Sequence, residues 1–197
     1  MKKQRIFLAA ILVCCLALAG TGTYAYFTAQ ETAYNVITTG ELVMDLVEMH
    51  DGEPWPEGGV SGVMPGDAID KRVTIQNLGG VEFYTRARIF GEVILENGET
   101  EELTLDQVEI DLNDTEWIEN EDGFYYYYRS LLPRGADGVI DETEPLFTTV
   151  TLKRDLGDAY QNARIELTVD AEAVQTKNNG TGPLDAAGWT LTTEVTE

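Results

Sequence analysis

The feature that most constrains this chain is a repeated alternation of apolar and polar residues, interrupted by turn residues. Short runs rich in Val, Ile, Thr, Tyr and Phe recur between clusters of Gly, Pro, Asn and Asp. Alternation with a period of two is typical of β-strands that bury one face. At least six such runs predict an all-β fold, an antiparallel jelly-roll-like sandwich with at most one or two short helices.

Two runs show how the alternation assigns faces. In IDKRVTIQN, the apolar residues Ile69, Val73 and Ile75 fall on one face of a strand. In EFYTRARIFGEVIL, Arg86 and Arg88 fall opposite the apolar row. The face that carries these arginines is therefore expected to be wet or paired with acidic side chains.

An aromatic run follows the turn sequence NEDG at residues 120–123, and the two together predict a β-hairpin. Alternate residues of this strand face opposite ways, so Tyr125 and Tyr127 fill the core while Phe124, Tyr126 and Tyr128 cover the other face, or the reverse. One face thus leaves tyrosines toward solvent or a partner, with Tyr126 and Tyr128 as the candidate contact residues. A partly exposed edge strand is the alternative. The stretch 104–113 has the spacing of a short helix and fits a strand equally well.

The first residues have the order of a secretory leader. Three basic residues precede an apolar run over residues 6–19, and small residues follow it. This run is shorter than the ~20 residues that span a bilayer, so export with cleavage is favoured over a retained membrane anchor. Small residues at Thr23 and Ala25 place the cut before Tyr26, although an ordinary peptidase could also use Ala17 and Ala19.

Both cysteines, Cys14 and Cys15, lie inside the apolar run of the leader. The mature protein is therefore expected to contain no disulfide and no thiolate metal site. A lipid-modified cysteine is the alternative, but Val13 precedes Cys14 where a small residue is needed. Hydrophobic burial must then supply the stability of the fold.

The mature chain is strongly acidic. All 35 Asp and Glu residues follow the leader, whereas three of the 13 Lys and Arg residues lie within it, which leaves a net charge of about −25. Nucleic acid is excluded as a partner, because its phosphates would be repelled. Any homopolymer of this chain must overcome its own repulsion through salt, cations or lower pH.

Catalytic motifs are absent from the sequence. His50 is the one histidine, and there is no HExxH segment for a two-histidine zinc site. We therefore predict no catalytic residue, no metal ligand and no cofactor, with His50 solvated at a strand end. The acidic stretches 120–123 and 137–144 could bind Ca²⁺, but they lack the EF-hand spacing and fit solvated loops as well.

Several segments, taken in order, resemble one family. They are the junction GTYAYFT, the pair PGD and NLGG, and the later strand sequence EAVQ. Their order and spacing resemble the TasA and camelysin family of Gram-positive secreted proteins, nearly from end to end. This resemblance implies an extracellular protein of the matrix or cell surface, a jelly-roll fold, and assembly into fibres of the biofilm matrix.

The resemblance also implies a processing step. A SipW-type signal peptidase would cut the leader, before Phe27 if the family junction is followed, which makes Ala25, Tyr26 and Phe27 the processing residues. We thus expect a signal peptide over 1–26 and a jelly-roll sandwich over 41–197.

In such fibres the mature N-terminal segment adds a strand to the next subunit, so residues 27–40 are the expected donor strand and hinge. The candidate contact residues in the chain are Phe27, Ala29, Ala33, Tyr34, Val36, Ile37, Tyr126 and Tyr128. The alternative is that this segment forms the first strand of its own sandwich.

Two rival functions belong to other classes. Camelysin-type relatives are labelled metallopeptidases, although this sequence has no cluster of zinc ligands. A surface adhesin, or a minor subunit that anchors another protein's fibre, is the second rival. The expected partners are therefore further copies of the chain, the signal peptidase and an accessory anchoring or assembly subunit.

Overall fold

The computed structural model describes residues 40–157, 160 and 162–190. The leader, its cleavage bond and the predicted donor segment lie outside these residues. Twelve β-strands are found in the described part of the chain. They are β1 (Met44–His50), β2 (Glu53–Pro54), β3 (Ala68–Asp70), β4 (Arg72–Asn77), β5 (Phe83–Ile94), β6 (Thr100–Glu102), β7 (Val108–Ile110), β8 (Trp117–Glu119), β9 (Tyr125–Tyr127), β10 (Asp141–Glu142), β11 (Thr149–Leu152) and β12 (Arg164–Gln175).

The strands form three hydrogen-bonded sheets, with the orders β10-β4-β1-β2, β3-β11-β7 and β12-β5-β9-β8, and β6 pairs with β5. Every pairing between these strands is antiparallel. The predicted all-β antiparallel fold is confirmed. Within the described ranges, no helix is long and apolar enough to cross a membrane.

The first two sheets continue into one another. Only Lys71 separates β3 from β4, and its N–H donates to the carbonyl of Thr148 at 2.9 Å. The N–H of Leu146 donates to the carbonyl of Val73, also at 2.9 Å. These two sheets are therefore called the front layer, and the sheet around β5 and β12 is called the back layer.

The hydrophobic core lies between the two layers. Val73 and Ile75 of β4 face it from the front, and Phe83 and Tyr127 face it from the back, all fully buried. Trp117 packs on Tyr127 with ring centroids 5.1 Å apart. Each large apolar side chain contributes ~1.5–3 kcal/mol when buried. Burial of side chains in this core therefore stabilises the domain without a disulfide.

Two further segments, the NEDG hairpin and the stretch 104–113, are set by local sequence. The hairpin is confirmed, since β8 pairs with β9 through Trp117 and Tyr127 and Gly123 takes the positive φ of 78° in its turn. The ambiguous stretch 104–113 is a turn followed by β7, so its strand alternative is correct. The N–H of Thr104 donates to the side-chain oxygen of Gln107 at 2.8 Å, and this hydrogen bond closes the turn.

The domain begins at a close approach between two backbones. A Cβ atom on Gly79 would lie 2.4 Å from the carbonyl oxygen of Glu41 and 2.6 Å from the amide nitrogen of Val43. The N–H of Gly80 donates to the same Glu41 oxygen at 2.9 Å. The glycines of the NLGG motif therefore hold the start of β1 against the turn between β4 and β5.

Candidate functional site

Only one of the two predicted surface tyrosines is at the surface. Tyr128 is 50% exposed, whereas Tyr126 is 4% exposed. The prediction that Tyr126 lies on an open aromatic face is therefore wrong. Its ring is covered by Trp189, which meets it edge-on at 5.7 Å between centroids, and its hydroxyl donates to Asp122 at 2.6 Å. Burial raises the pKa of the Tyr126 hydroxyl, and the hydrogen bond to Asp122 adds to this shift.

Arg86 is the centre of a structural cluster on the outer face of the back layer. The residue is 4% exposed, and its guanidinium lies 3.9 Å from the ring of Phe124 and 4.7 Å from that of Trp189. It donates to Glu172 at 2.9 and 3.1 Å, while the hydroxyl of Thr190 also donates to Glu172, at 2.5 Å. The segment around Trp189 thus closes this face, and the predicted pairing of Arg86 with acids is confirmed.

Both acidic stretches considered for Ca²⁺ offer a carboxylate to an arginine. Asp122 is 3.2 Å from Arg86, and Asp141 accepts from Arg129 at 2.8 and 3.0 Å. The hydrogen bond from Arg129 lowers the pKa of Asp141. These two carboxylates therefore stabilise loops of the domain through ion pairs.

A third polar cluster lies where β1 turns into β2. Asp51 and Gly52 form the two-residue turn with positive φ values of 50° and 82°, the conformation that Asp-Gly hairpin turns favour. His50 Nδ1 lies 2.7 Å from the carbonyl oxygen of Asp70, and the N–H of Asp51 donates to the Asp70 carboxylate at 2.6 Å. One potential ligand atom from each of His50, Asp51 and Asp70 lies within 4.8 Å of the others.

The hydrogen bond of His50 orients its ring. A carbonyl oxygen can only accept, so Nδ1–H donates to Asp70, and Nε2 lies 3.5 Å from Asp51 Oδ2. Metal-binding histidines commonly donate their second N–H to a carbonyl in this way. An imidazole with two carboxylates fits a divalent cation by donor type. The side chain of Asp51 is 79% exposed, however, so the cluster is open to water.

This grouping was missed from the sequence because Asp70 is 20 residues from His50 along the chain. No short motif joins these positions. They meet because the end of β1 and the end of β3 reach the same edge of the front layer, which is a long-range consequence of strand pairing.

The second candidate site is the outer edge of β12. This strand pairs with β5 on one side, and no described strand pairs with its other side. Its core-facing row is Ile165, Leu167, Val169, Ala171 and Ala173. Of the five residues opposite this row on β5, Thr85, Ala87 and Val93 are fully buried and Ile89 and Gly91 are half-buried, whereas four of the five residues on β12 are half-buried. The core is therefore incompletely covered along β12.

A cleft of about 870 Å³ opens beside the Arg164 end of this edge. Its apolar walls include Ile69, Val108, Val150 and Leu152 from the front layer and Ile165 and Leu167 from β12. Lys71 also lines it, with its ammonium 2.8 Å from Glu48 and 3.9 Å from the centroid of the Trp55 ring. Alternation in the sequence predicts these apolar residues on strands but not the gap between them.

The profile of the camelysin metallo-endopeptidase family matches residues 2–87 of this chain. The matched range includes the cluster at His50 and ends within β5, before β12 begins. No curated protein sequence matches the chain. The resemblance to the TasA and camelysin family that the sequence motifs indicated is therefore confirmed, over residues 2–87.

Proposed function

We propose that this protein is a secreted structural subunit of extracellular fibres, of the kind that build a Gram-positive biofilm matrix. Subunits join when the mature N-terminal segment of one copy adds a strand to the next copy. The family resemblance supports the class of protein. The observation that carries the polymerisation is the twelve-residue β12, which has no partner strand on its outer side among the described residues.

A long free edge is unusual in a soluble β-protein, because it invites pairing with another chain. The other edge strands in the described part of the chain have the features that usually prevent an edge from pairing with another chain. β2 has two residues and contains Pro54, and β7 and β8 have three residues each. β12 is four to six times longer and borders a core that is half-covered on its side. The greater length of β12 and the partly uncovered core beside it support the proposal that a further strand pairs with this edge.

Secretion is part of the proposal. The leader-like first residues direct export, a SipW-type peptidase releases the segment that begins at Tyr26 or Phe27, and the acidic surface keeps single subunits apart until assembly. The polymer is made of copies of this chain, with an accessory anchoring subunit as a further partner.

Deletion of residues 26–37 from the secreted protein tests the proposal. Among the described residues the strands begin at Met44, so we expect the shortened protein to keep the far-UV circular dichroism spectrum and melting temperature of the parent but to form no fibres in electron micrographs.

A matched pair of variants refines this test. Phe27→Asp puts a charge on one face of the extended segment, and Thr28→Asp puts it on the other. Burying an unpaired charge costs several kcal/mol, so the two should differ strongly in fibre yield. Fibres of normal length from the deletion variant would refute the proposal.

A metallopeptidase is the second candidate function, and two observations favour it: the description of the matching family and the cluster of His50, Asp51 and Asp70. The fibre proposal expects His50→Ala and Asp70→Asn to leave assembly unchanged and expects no casein hydrolysis by the purified protein. Hydrolysis that a chelator abolishes, and that both variants lack, would establish the peptidase instead.

A further inference from the structure

We infer that His50, Asp51 and Asp70 bind one divalent transition-metal cation of the Zn²⁺ class, and that this ion fastens the turn after β1 to the end of β3. The inference departs from the sequence-based expectation that the chain has no metal ligand. It does not rest on the proposed fibre function, and it concerns metal binding and stability, not hydrolysis.

The spacing of the donor atoms fits one small cation. One potential ligand atom from each of the three residues lies within 4.8 Å of the other two. His50 Nε2 and Asp51 Oδ2 are 3.5 Å apart. Zinc binds nitrogen and carboxylate oxygen at about 2.0–2.2 Å, so two ligand atoms of one tetrahedral ion are ~3.4 Å apart. A cation therefore fits between the imidazole and the Asp51 carboxylate at their present separation.

Hydrogen bonds to other atoms orient these donors. His50 Nδ1 lies 2.7 Å from the carbonyl oxygen of Asp70, so in the neutral ring Nδ1–H bonds to that oxygen and Nε2 is the nitrogen that can bind a cation. The N–H of Asp51 donates to Oδ2 of Asp70 at 2.6 Å, and the second oxygen of a carboxylate can bind a cation at the same time. Metal-binding histidines usually have such a second partner. The ligands are thus oriented before an ion binds.

The turn and a neighbouring ring hold the same residues in place. Asp51 and Gly52 have positive φ values of 50° and 82°, which the two-residue turn requires. The ring of Trp55 meets the His50 ring edge-on, with centroids 5.7 Å apart. The ammonium of Lys71, a buried residue, lies 3.9 Å from the centroid of the Trp55 ring. The imidazole therefore packs against an indole that is itself fixed by a buried side chain.

The charge around the cluster favours a cation, and its donor types favour a transition metal. Two of the three ligands are carboxylates, and Glu53 lies directly opposite His50 in the β1–β2 register, where cross-strand side chains share a face. A divalent ion would offset the repulsion between these acids. Ca²⁺ and Mg²⁺ prefer oxygen ligands alone, whereas an imidazole suits Zn²⁺, Ni²⁺ and Cu²⁺.

An ion at this place would join the two sheets of the front layer. β1 belongs to the sheet β10-β4-β1-β2, and β3 belongs to the sheet β3-β11-β7. Asp51 directly follows β1, and Asp70 is the last residue of β3. An ion that binds both carboxylates in the folded state alone stabilises that state. The Asp51 side chain is 79% exposed, so water completes the coordination and a chelator can remove the ion.

Calorimetry tests the site, with Zn²⁺ as the probe and with secreted protein that has been treated with a chelator and dialysed. We expect one ion per chain, and an affinity at least tenfold lower in His50→Gln and in Asp51→Asn. Asp51→Asn leaves the fold intact, because the side chain is exposed and asparagine adopts the positive φ of this turn. Asp45→Asn removes an exposed carboxylate near the other end of β1. It is the matched control and should bind Zn²⁺ as the parent does.

Two further measurements locate the ion and its effect on stability. Ni²⁺ should quench tryptophan fluorescence, because Trp55 lies against His50. Trp55→Phe should lose most of this quenching but still bind Ni²⁺ in calorimetry. At a Zn²⁺ concentration of about 100 times the dissociation constant, the melting temperature of the parent should rise by about 5–10 °C. That of Asp51→Asn should rise by about half as much or less at the same concentration.

Three results would overturn the inference. The first is an absence of Zn²⁺ binding by the parent. The second is equal Zn²⁺ affinity in the parent, His50→Gln and Asp51→Asn, with folding of the variants checked by circular dichroism, because binding would then occur elsewhere. The third is displacement of Zn²⁺ by an equal concentration of Ca²⁺, which would indicate an acidic surface without an imidazole ligand. None of these measurements depends on fibre assembly, so failure of this inference and failure of the proposed function are recognised separately.

Discussion

Replacement of Arg86 by methionine is expected to destabilise the domain far more than the same replacement of Arg88. Both arginines lie on the outer row of β5, and both reach a carboxylate of β12 at 2.9 Å. The side chain of Arg86 is 5% exposed and that of its partner Glu172 is 9% exposed, whereas Arg88 and Asp170 are 27% and 35% exposed. The two pairs therefore differ in burial, and Arg86 has further partners in Asp122 and the ring of Trp189.

The magnitudes follow from this difference. Removal of one partner of a buried ion pair costs about 3–5 kcal/mol, because the remaining charge stays in a poorly solvated place. An exposed pair contributes about 0.2–1 kcal/mol. For a domain of this size, 1 kcal/mol shifts the melting temperature by about 2–4 °C. Arg86→Met should therefore lower it by about 6–20 °C, and Arg88→Met by no more than about 4 °C.

Urea unfolding measures both effects, followed by circular dichroism and by tryptophan fluorescence, since Trp189 lies against Arg86. Addition of Glu172→Gln to Arg86→Met should recover part of the loss, because it removes the carboxylate that had faced the guanidinium. Equal losses in Arg86→Met and Arg88→Met would refute the role of burial. A double variant as unstable as the sum of its single changes would refute the role of charge.

Three further predictions concern processing, acid and salt. The intact mass of the secreted protein should correspond to a first residue of Tyr26 or Phe27, and a mass beginning at Gly20 would contradict the dedicated peptidase. Because the hydrogen bond from Arg129 lowers the folded-state pKa of Asp141, its stabilisation is present above the unfolded value of ~3.9 and is lost as the pH falls through the folded value. Asp141→Asn should therefore lower the unfolding free energy by about 1–2 kcal/mol at pH 7. In urea titrations at pH 3 the difference in unfolding free energy between variant and parent should be smaller, and an equal difference at both pH values would refute this role of Asp141. Light scattering should show faster assembly at 0.15 M salt than at 0.01 M salt, because the Debye length falls from ~30 to ~8 Å. Added Ca²⁺, or a pH closer to the sequence pI of about 4.1, should also speed assembly. Assembly that is fastest without salt at neutral pH would contradict the charge argument.

The parts of the fold that could be predicted from sequence are those set by local alternation. Val73 and Ile75 had to share a face of β4, and the arginines of β5 had to share the opposite face from its apolar row, because side chains alternate along any strand. The hairpin at NEDG was equally local, since its turn and both strands lie within a short stretch.

The parts that could not be predicted depend on which distant elements meet. Tyr126 was expected at the surface because nothing nearby in the sequence shows that Trp189 covers it. Asp70 joins His50 only through the pairing of the front layer, and the cleft beside Ile165 is lined by residues that come from both layers. Edge or interior position is a property of the whole sheet, so the half-covered row of β12 could not be read from its own residues.

The close packing at Gly79 and Gly80 also has a mechanical consequence. A pull on the chain at Gly40 is carried directly into β1, whose pairs with β4 run from Met44–Asn77 to Met49–Arg72. The hydrogen bonds of this ladder lie across the strand, so a load along β1 shears all of them together and does not peel them apart one by one. The first strand of the domain is thereby placed to bear tension along the strand axis, and under stretching the chain should hold as a unit and then yield abruptly.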